Sequence, residues 1–300
     1  MKQVLENAFL LIEVEDKGAE LVRIFDKEKG RDVLWEADPA HWGRHAPILF
    51  PNVGRHFGDH FRVGGSSYPS RQHGFARDSV FTCTEKTAND VTHQLLSTPE
   101  TKAVYPFDFV LRVRHCLEGK SLRVFWEVKN PGTETMYFTI GGHPAFALPK
   151  DSYEKASLYF EGKDSLTYFL IDNEGKGCIL SDQPRTLSLK DGSVTLDVLK
   201  DGEEVLSEHF FDKDALVFDK GQFSQVEIRL PDGTPYLRMK AEGFPNFGIW
   251  SAPRSPFVCL EPWMGRADDY GYSGELSAKP FINALEAGSV FRKDYAIEVL

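Results

Sequence analysis

The sequence predicts an all-β protein, a large antiparallel β-sandwich, on three observations. Apolar and polar residues alternate in short runs, glycine-containing turn pairs separate those runs, and helical periodicity is nearly absent. Residues 109–116 alternate apolar and basic side chains, Glu118-Gly119-Lys120 turns the chain, and residues 122–128 alternate again. Such period-two patterning buries one face and solvates the other, as antiparallel sheets require. Residues 187–189, 194–199 and 204–206 are separated by Asp191-Gly192 and Asp201-Gly202, both hairpin signals. Pro231-Asp232-Gly233 likewise separates residues 226–230 from residues 236–240. Helical turns are expected only within residues 273–276 and 280–285. No low-complexity linker or internal repeat divides the chain, so residues 1–300 read as one domain.

Composition narrows the function classes. A formal net charge of −10 leaves no basic excess to pair with nucleic acid or an anionic membrane. The four cysteines (Cys83, Cys116, Cys178 and Cys259) are widely spaced and form no CxxC pair, which fits buried thiols in a reducing compartment. No signal-like opening and no apolar run of about 20 residues is present, so a cytoplasmic location is expected.

Four polar motifs lie beside glycine or proline and are therefore expected at strand ends or loops. The most informative is Gly141-Gly142-His143-Pro144-Ala145-Phe146. Glycine permits close approach or unusual dihedrals and proline fixes φ, so this loop should aim one imidazole from the rim of a sheet. Histidine is the side chain best suited to proton transfer near neutral pH. In Phe257-Val258-Cys259-Leu260-Glu261-Pro262-Trp263 a carboxylate interrupts an apolar strand. Partial desolvation there would raise its pKa and make it a better proton acceptor, although an ion pair with an arginine would also account for it. The remaining motifs are residues 47–55, ending in Arg55, and Gln72-His73-Gly74-Phe75-Ala76-Arg77.

Arg44, Arg55, Arg71 and Arg77 cluster around the His73 motif and read either as a salt-bridged loop or as a site for polyhydroxyl or phosphate groups. Trp42, Trp263, Phe57 and Phe75 stand near these groups, as aromatic faces beside a sugar ring would. His41 and His45, and His56 and His60, repeat at a zinc-helix spacing, but the glycines and prolines among them oppose a helix, so no metal is expected. No Gly-x-Ser-x-Gly elbow, GxGxxG or Walker-type loop is present, which disfavours nucleophilic hydrolysis and nucleotide cofactors.

Taken in order, these motifs resemble the aldose 1-epimerase (galactose mutarotase) family, and most closely its bacterial LacX-like branch. The resemblance runs from about Gly54-Arg55 to Glu261. It implies the galactose mutarotase-like supersandwich and interconversion of the α and β anomers of a hexose. By the same resemblance, Glu261 is the catalytic base and His143 the catalytic acid, with Arg55, His73, Gln72 and Arg77 binding substrate. A sugar-binding aspartate falls within Phe211-Asp212-Lys213-Asp214, with Asp214 favoured. Tyr105-Pro106 and the Arg55, Phe61, Val63, Gly65, Tyr68 series are similar to other recurrent segments. The Gln-His-Gly-Phe-Ala-Arg string and Pro262-Trp263 depart from galactose mutarotases, and the former is similar to hexose-6-phosphate 1-epimerases. The implied partner is an aldohexose or a hexose phosphate, met without any cofactor by a monomer or homodimer. A non-catalytic sugar-binding or sensor protein of the same fold is the rival expectation.

Overall fold

The computed structural model describes residues 1–152, 155–172, 176–196, 211, 214–253 and 255–300. The expected alternation appears as antiparallel strands. Val110–Glu118 and Ser121–Lys129 pair through Glu118↔Ser121, so the predicted turn at Gly119 closes a hairpin. Leu122, Val124, Trp126 and Val128 point into the core, and their neighbours face out. These two strands lie within a nine-stranded sheet. Its order is Ser193–Thr195, Ser157–Tyr159, Gln225–Arg229, Pro235–Lys240, Val290–Val299, Ser121–Lys129, Val110–Glu118, Asp90–Leu96 and Thr82–Lys86.

A second large sheet carries the site. It runs Leu216–Asp219, Asn246–Trp250, Phe257–Met264, Ile140–Gly142 and Ile48–Leu49, and Ala145–Ala147 also pairs with Phe257–Met264. Along Phe257–Met264 the faces divide. Val258 and Leu260 join the main core, while Cys259, Glu261 and Trp263 face the other way. Tyr295 of the nine-stranded sheet stands where a Cβ on Gly142 would fall, 2.9 Å from its hydroxyl, so the two sheets meet in close contact there.

The turn signals held where they can be followed. Asp191 (φ 51°) and Gly192 (φ 77°) link Lys190 to Ser193 through reciprocal backbone hydrogen bonds of 2.9 Å, the geometry of a tight hairpin. Gln225–Arg229 and Pro235–Lys240 flank Pro231-Asp232-Gly233 as expected. Within the run 194–199, Val194 and Thr195 are strand, and residues 197–199 and 204–206 lie outside the described residues.

Two helical expectations need correction. Residues 276–278 form one 3-10 turn, but Asn283–Leu285 is a strand paired with Met136–Phe138. Asn283 Nδ2 donates to the carbonyls of Phe138 and Met264, and this cross-strand anchoring outweighs local helical preference. Conversely, Pro99–Val104 is a helix that apolar periodicity did not reveal. Its signal lay at its start, where Thr98 and Thr101 form a capping box and Pro99 occupies the first turn. No described helix is long and apolar enough to cross a membrane.

Candidate active site

The loop carrying His143 is a break within a sheet rather than a rim. Ile140–Gly142 and Ala145–Ala147 both pair with Phe257–Met264, in registers Gly141↔Trp263 and Ala145↔Cys259. The same register continued across the break sets His143 opposite Glu261. Pro144 interrupts the ladder, and its carbonyl still accepts from Leu260 N at 3.2 Å. The glycines serve closeness, not unusual dihedrals. A Cβ on Gly141 would lie 2.5 Å from Trp263 Cδ1, and neither Gly141 nor Gly142 has positive φ.

His143 Nε2 approaches Glu261 Oε2 at 3.3 Å, with both side chains buried. The contact is too poorly aligned to be a hydrogen bond, and Glu261 Oε2, His143 Nδ1 and Trp263 Nε1 are all buried without a hydrogen-bond partner. Buried polar atoms rarely go unpaired, and the three residues that carry these atoms line one space, as suits a site for a polar ligand. The imidazole is oriented by rings instead. Trp42 stacks on it at 4.8 Å between centroids, and His73 and Trp250 meet its edges at 5.6 and 5.7 Å.

These groups enclose a cavity of about 280 Å³. Its walls are Trp42, Val53, Gly54, Gln72, His73, Arg77, His143, Ile171, Gly177, Ile179, Asp214, Ala215, Trp250, Glu261, Trp263 and Ala267. That volume is near the lower end for small-molecule sites, about 300 Å³. Polar groups and indole faces share the lining, a mixture that suits a polyhydroxyl ring.

His73 enters from a strained turn. Its φ is 65°, in the left-handed region that non-glycine residues avoid, and the following Gly74 would bring a Cβ within 2.2 Å of Phe50 O. Reciprocal contacts hold it: His73 N donates to Gly54 O (2.8 Å) and Gly54 N donates to His73 Nδ1 (3.0 Å). With Nδ1 accepting, the neutral ring carries its proton on Nε2 and is a donor. Asp214 is also left-handed (φ 70°), and its Oδ1 accepts from Ala215 N at 2.8 Å. Asp214 retains open surface at the cavity, whereas Asp212 lies outside the described residues.

Burial dominates the electrostatics. It pushes His143 down to about 3, with Arg77 and Arg44 acting in the same direction, and pushes His73 well down too. It pushes Glu261 well above the usual carboxylate range, helped by Asp214 and opposed by the nearby Trp263 indole. Burial also lowers Arg77 to about 10, and Arg44 adds to the effect. Both members of the central pair are thereby biased toward their neutral forms.

Of the expected site residues, the fold brings His143, Glu261, His73, Gln72, Arg77 and Asp214 to one cavity. Arg55 departs from that set. Its stem packs under Gly177, its guanidinium pairs with Asp59 at 3.2 Å, and it is not part of the cavity wall. The arginine cluster divides similarly. Arg44 pairs with Asp78 at 3.0 Å and Arg71 borders a separate, more apolar cavity, leaving Arg77 facing the site. Arg77 donates to Gln72 O at 2.8 Å, and its Nε is buried without a hydrogen-bond partner.

Trp42 and Trp263 line the cavity, but Phe57 packs on Tyr270 and Phe75 joins the core beside Phe50 and Phe109. Glu261 has no arginine partner among the described residues. The paired histidines at zinc-like spacing do not converge. His41 meets Ser255 and His56 meets Asp268, and neither pair occupies a described α-helix. Trp250 and the apolar wall of Ile171, Ile179 and Ala267 were missed. Trp250 ends the run Asn246-Phe247-Gly248-Ile249-Trp250, and only the strand's place beside Glu261 gives that indole a role.

A family model described as aldose 1-epimerase matches residues 1–277. The chain belongs to the aldose 1-epimerase family. It is 33% identical to the plasmid-borne protein LacX of Lactococcus lactis subsp. lactis, over 99% of this chain and 98% of that protein. It is also similar to a solved galactose mutarotase related enzyme from Lactobacillus acidophilus, with 30% identity and a TM-score of 0.91, covering 100% of this chain and 97% of the other. A galactose mutarotase-like protein from Lactobacillus casei aligns at 25% identity and a TM-score of 0.87, with both chains fully covered. The expected β-sandwich is therefore the fold of these relatives as well.

Proposed function

We propose that the protein is an aldose 1-epimerase acting on a hexose, with His143 and Glu261 as its acid–base pair. The observation that carries this reading is the register across the strand break, which sets the two side chains 3.3 Å apart at the cavity floor with no hydrogen bond between them. Glu261 takes the proton of the anomeric hydroxyl while His143 delivers one to the ring oxygen. The pyranose opens, the C1–C2 bond rotates, and closure on the other carbonyl face reverses both transfers.

Burial penalises charge on each residue singly, but the two proton arrangements of the pair carry the same net charge. One proton relocated within the pair converts one arrangement into the other. Sugar hydroxyls and the unpartnered Trp263 indole N–H supply donors that favour the carboxylate form of Glu261 when substrate is bound. His73, as an Nε2–H donor, and Asp214, as an acceptor, hold ring substituents. Gln72 and Arg77 complete the polar wall.

Each well-placed proton-transfer group contributes about 10²–10⁴-fold. His143→Asn and Glu261→Gln are therefore expected to slow anomer exchange by about that factor each, read by polarimetry or exchange NMR on fresh α-glucose and α-galactose. Wild-type exchange no faster than buffer on free and phosphorylated hexoses, with saturable sugar binding retained, would instead support a non-catalytic sugar-binding protein.

A second reading has its own observation. Arg77 lines the cavity, and its Nε is buried without a hydrogen-bond partner, with Asp78 Oδ2 at 3.9 Å as its ion-pair contact; its guanidinium is suited to an anionic substituent such as the phosphate of a hexose 6-phosphate. Comparing kcat/KM for glucose, galactose and glucose 6-phosphate in wild type and Arg77→Gln separates the two. A phosphate substrate is lost selectively in the variant, and a neutral sugar is not.

A further inference from the structure

Cys259 precedes Glu261 by two residues on the same strand face, is fully buried, and takes no part in the proton transfers described above. One donor atom each from His143, Cys259 and Glu261 lies within 4.8 Å of the others. The His143 Nε2 to Glu261 Oε2 distance of 3.3 Å has a specific meaning in such a group. A tetrahedral ion about 2.0–2.1 Å from a nitrogen and an oxygen holds them about 3.3–3.4 Å apart. A sulfur about 2.3 Å from the same centre stands about 3.6 Å from each. The nitrogen–oxygen edge is thus already formed. Cys259 Sγ lies within 4.8 Å of a donor atom on each of the other two residues, so closing the set takes a shift of at most about 1.2 Å.

A second observation points to a ligand at the same place. Glu261 is 1% exposed, and its Oε2 is without a hydrogen-bond partner. Imidazole, thiolate and carboxylate together select a borderline-soft cation over magnesium or calcium. Thiolate and carboxylate also balance a dication where a lone charge is costly. His143 and Glu261 both line the cavity, so the fourth coordination position opens toward it and an ion has a route in.

We propose that His143, Cys259 and Glu261 form an inhibitory site for a thiophilic divalent cation of the zinc or cobalt type at the floor of the cavity. Binding forms one bond each to nitrogen, sulfur and oxygen. The proton of the Cys259 thiol, and that of Glu261 where it is protonated, is released to solvent. The ion then occupies the His143 nitrogen lone pair and lowers the basicity of the Glu261 carboxylate, so the pair no longer moves substrate protons. The binding rests on this geometry alone, whereas its effect on turnover rests on the acid–base reading above.

The probe is Co²⁺, titrated into the full chain under reducing conditions and read by absorption. One equivalent is expected to give a sulfur-to-cobalt charge-transfer band with intense four-coordinate visible bands, both abolished by Zn²⁺. Cys259→Ala, which keeps a small apolar side chain in the buried position, removes the sulfur band. Glu261→Gln weakens the affinity by more than the roughly 10–100-fold that outer-shell partners cost. Circular dichroism of each variant establishes that it is folded, and Cys259→Ser stands in if the alanine variant is not. Absence of the sulfur band in wild type overturns the site. So does a band that persists without Cys259, or an affinity indifferent to Glu261. In the turnover arm, Zn²⁺ slows anomer exchange in wild type but not in Cys259→Ala, which retains wild-type exchange without the ion. Stoichiometric cobalt binding that leaves exchange unaffected at saturation overturns the inhibitory role while leaving the binding site intact. A wild type with no exchange on any sugar fails the acid–base reading and leaves the cobalt result to decide the site.

Discussion

Two buried histidine–carboxylate pairs lie among the described residues, and their surroundings give them opposite characters. His56 Nδ1 meets Asp268 Oδ1 at 3.1 Å, and Asp268 also accepts from Phe57 N (2.9 Å) and from the buried Lys279 ammonium. Burial alone would raise the Asp268 carboxyl, but His56 and Lys279 overcome it and hold the group well below the usual carboxylate range. His143 and Glu261 stand at nearly the same separation, 3.3 Å, without a hydrogen bond, and burial pushes Glu261 well up. Donor supply is the difference. Three donors converge on Asp268, so its charge is a fixed part of the fold. Glu261 Oε2 receives none, so its proton remains available to a ligand.

Substitutions in the two pairs should therefore fail differently. His143→Asn and Glu261→Gln cost about 10²–10⁴-fold each in anomer exchange with little change in thermal midpoint. Lys279→Met leaves Asp268 short of a cation and should cost about 3–5 kcal/mol of stability, lowering the midpoint by roughly 6–10 °C. Exchange per folded molecule stays near wild type below the new midpoint. A stable Lys279→Met protein with slowed exchange would break the contrast.

Smaller effects sharpen it. Gly141→Ala drives a methyl toward Trp263, 2.5 Å away, and overpacking of this kind costs about 1–3 kcal/mol. Because that indole borders Glu261, exchange should also fall, which denaturant melts and rate measurements on the same sample separate. The pH dependence of stability has a definite sign. Asp268 is depressed in the folded state, so its contribution is present above the unfolded value of about 3.9 and lost as pH falls toward the lower folded value. In that window wild-type stability should fall by up to about 1.4 kcal/mol per pH unit more steeply than that of Asp268→Asn. Equal slopes in chemical melts from pH 5 to about 2 would remove Asp268 from the account.

How much of this was legible in the sequence follows the same contrast. Alternation and turn pairs gave the strands, because those signals are local. Residue type and neighbouring glycine or proline singled out His143, Glu261 and His73, and resemblance singled out Asp214. The break that sets His143 opposite Glu261 was not visible, since it depends on two short strands sharing one long partner. Arg55 shows the limit from the other side. Its motif is conspicuous, yet Asp59, four residues on, holds its guanidinium. Neither the role of Trp42 against His143 nor that of Lys279 under Asp268 has a local signature, because each is made by packing between distant segments.

The central claim is that His143 and Glu261 act as one unit, unlike His56 and Asp268. The most direct measurement is the anomer exchange rate of the double variant His143→Asn/Glu261→Gln beside both singles, with all three shown to be folded. Groups that act together are grossly non-additive, so the double variant should be about as slow as the slower single. Losses that multiply, or an exchange rate in Glu261→Gln equal to wild type, would contradict the account.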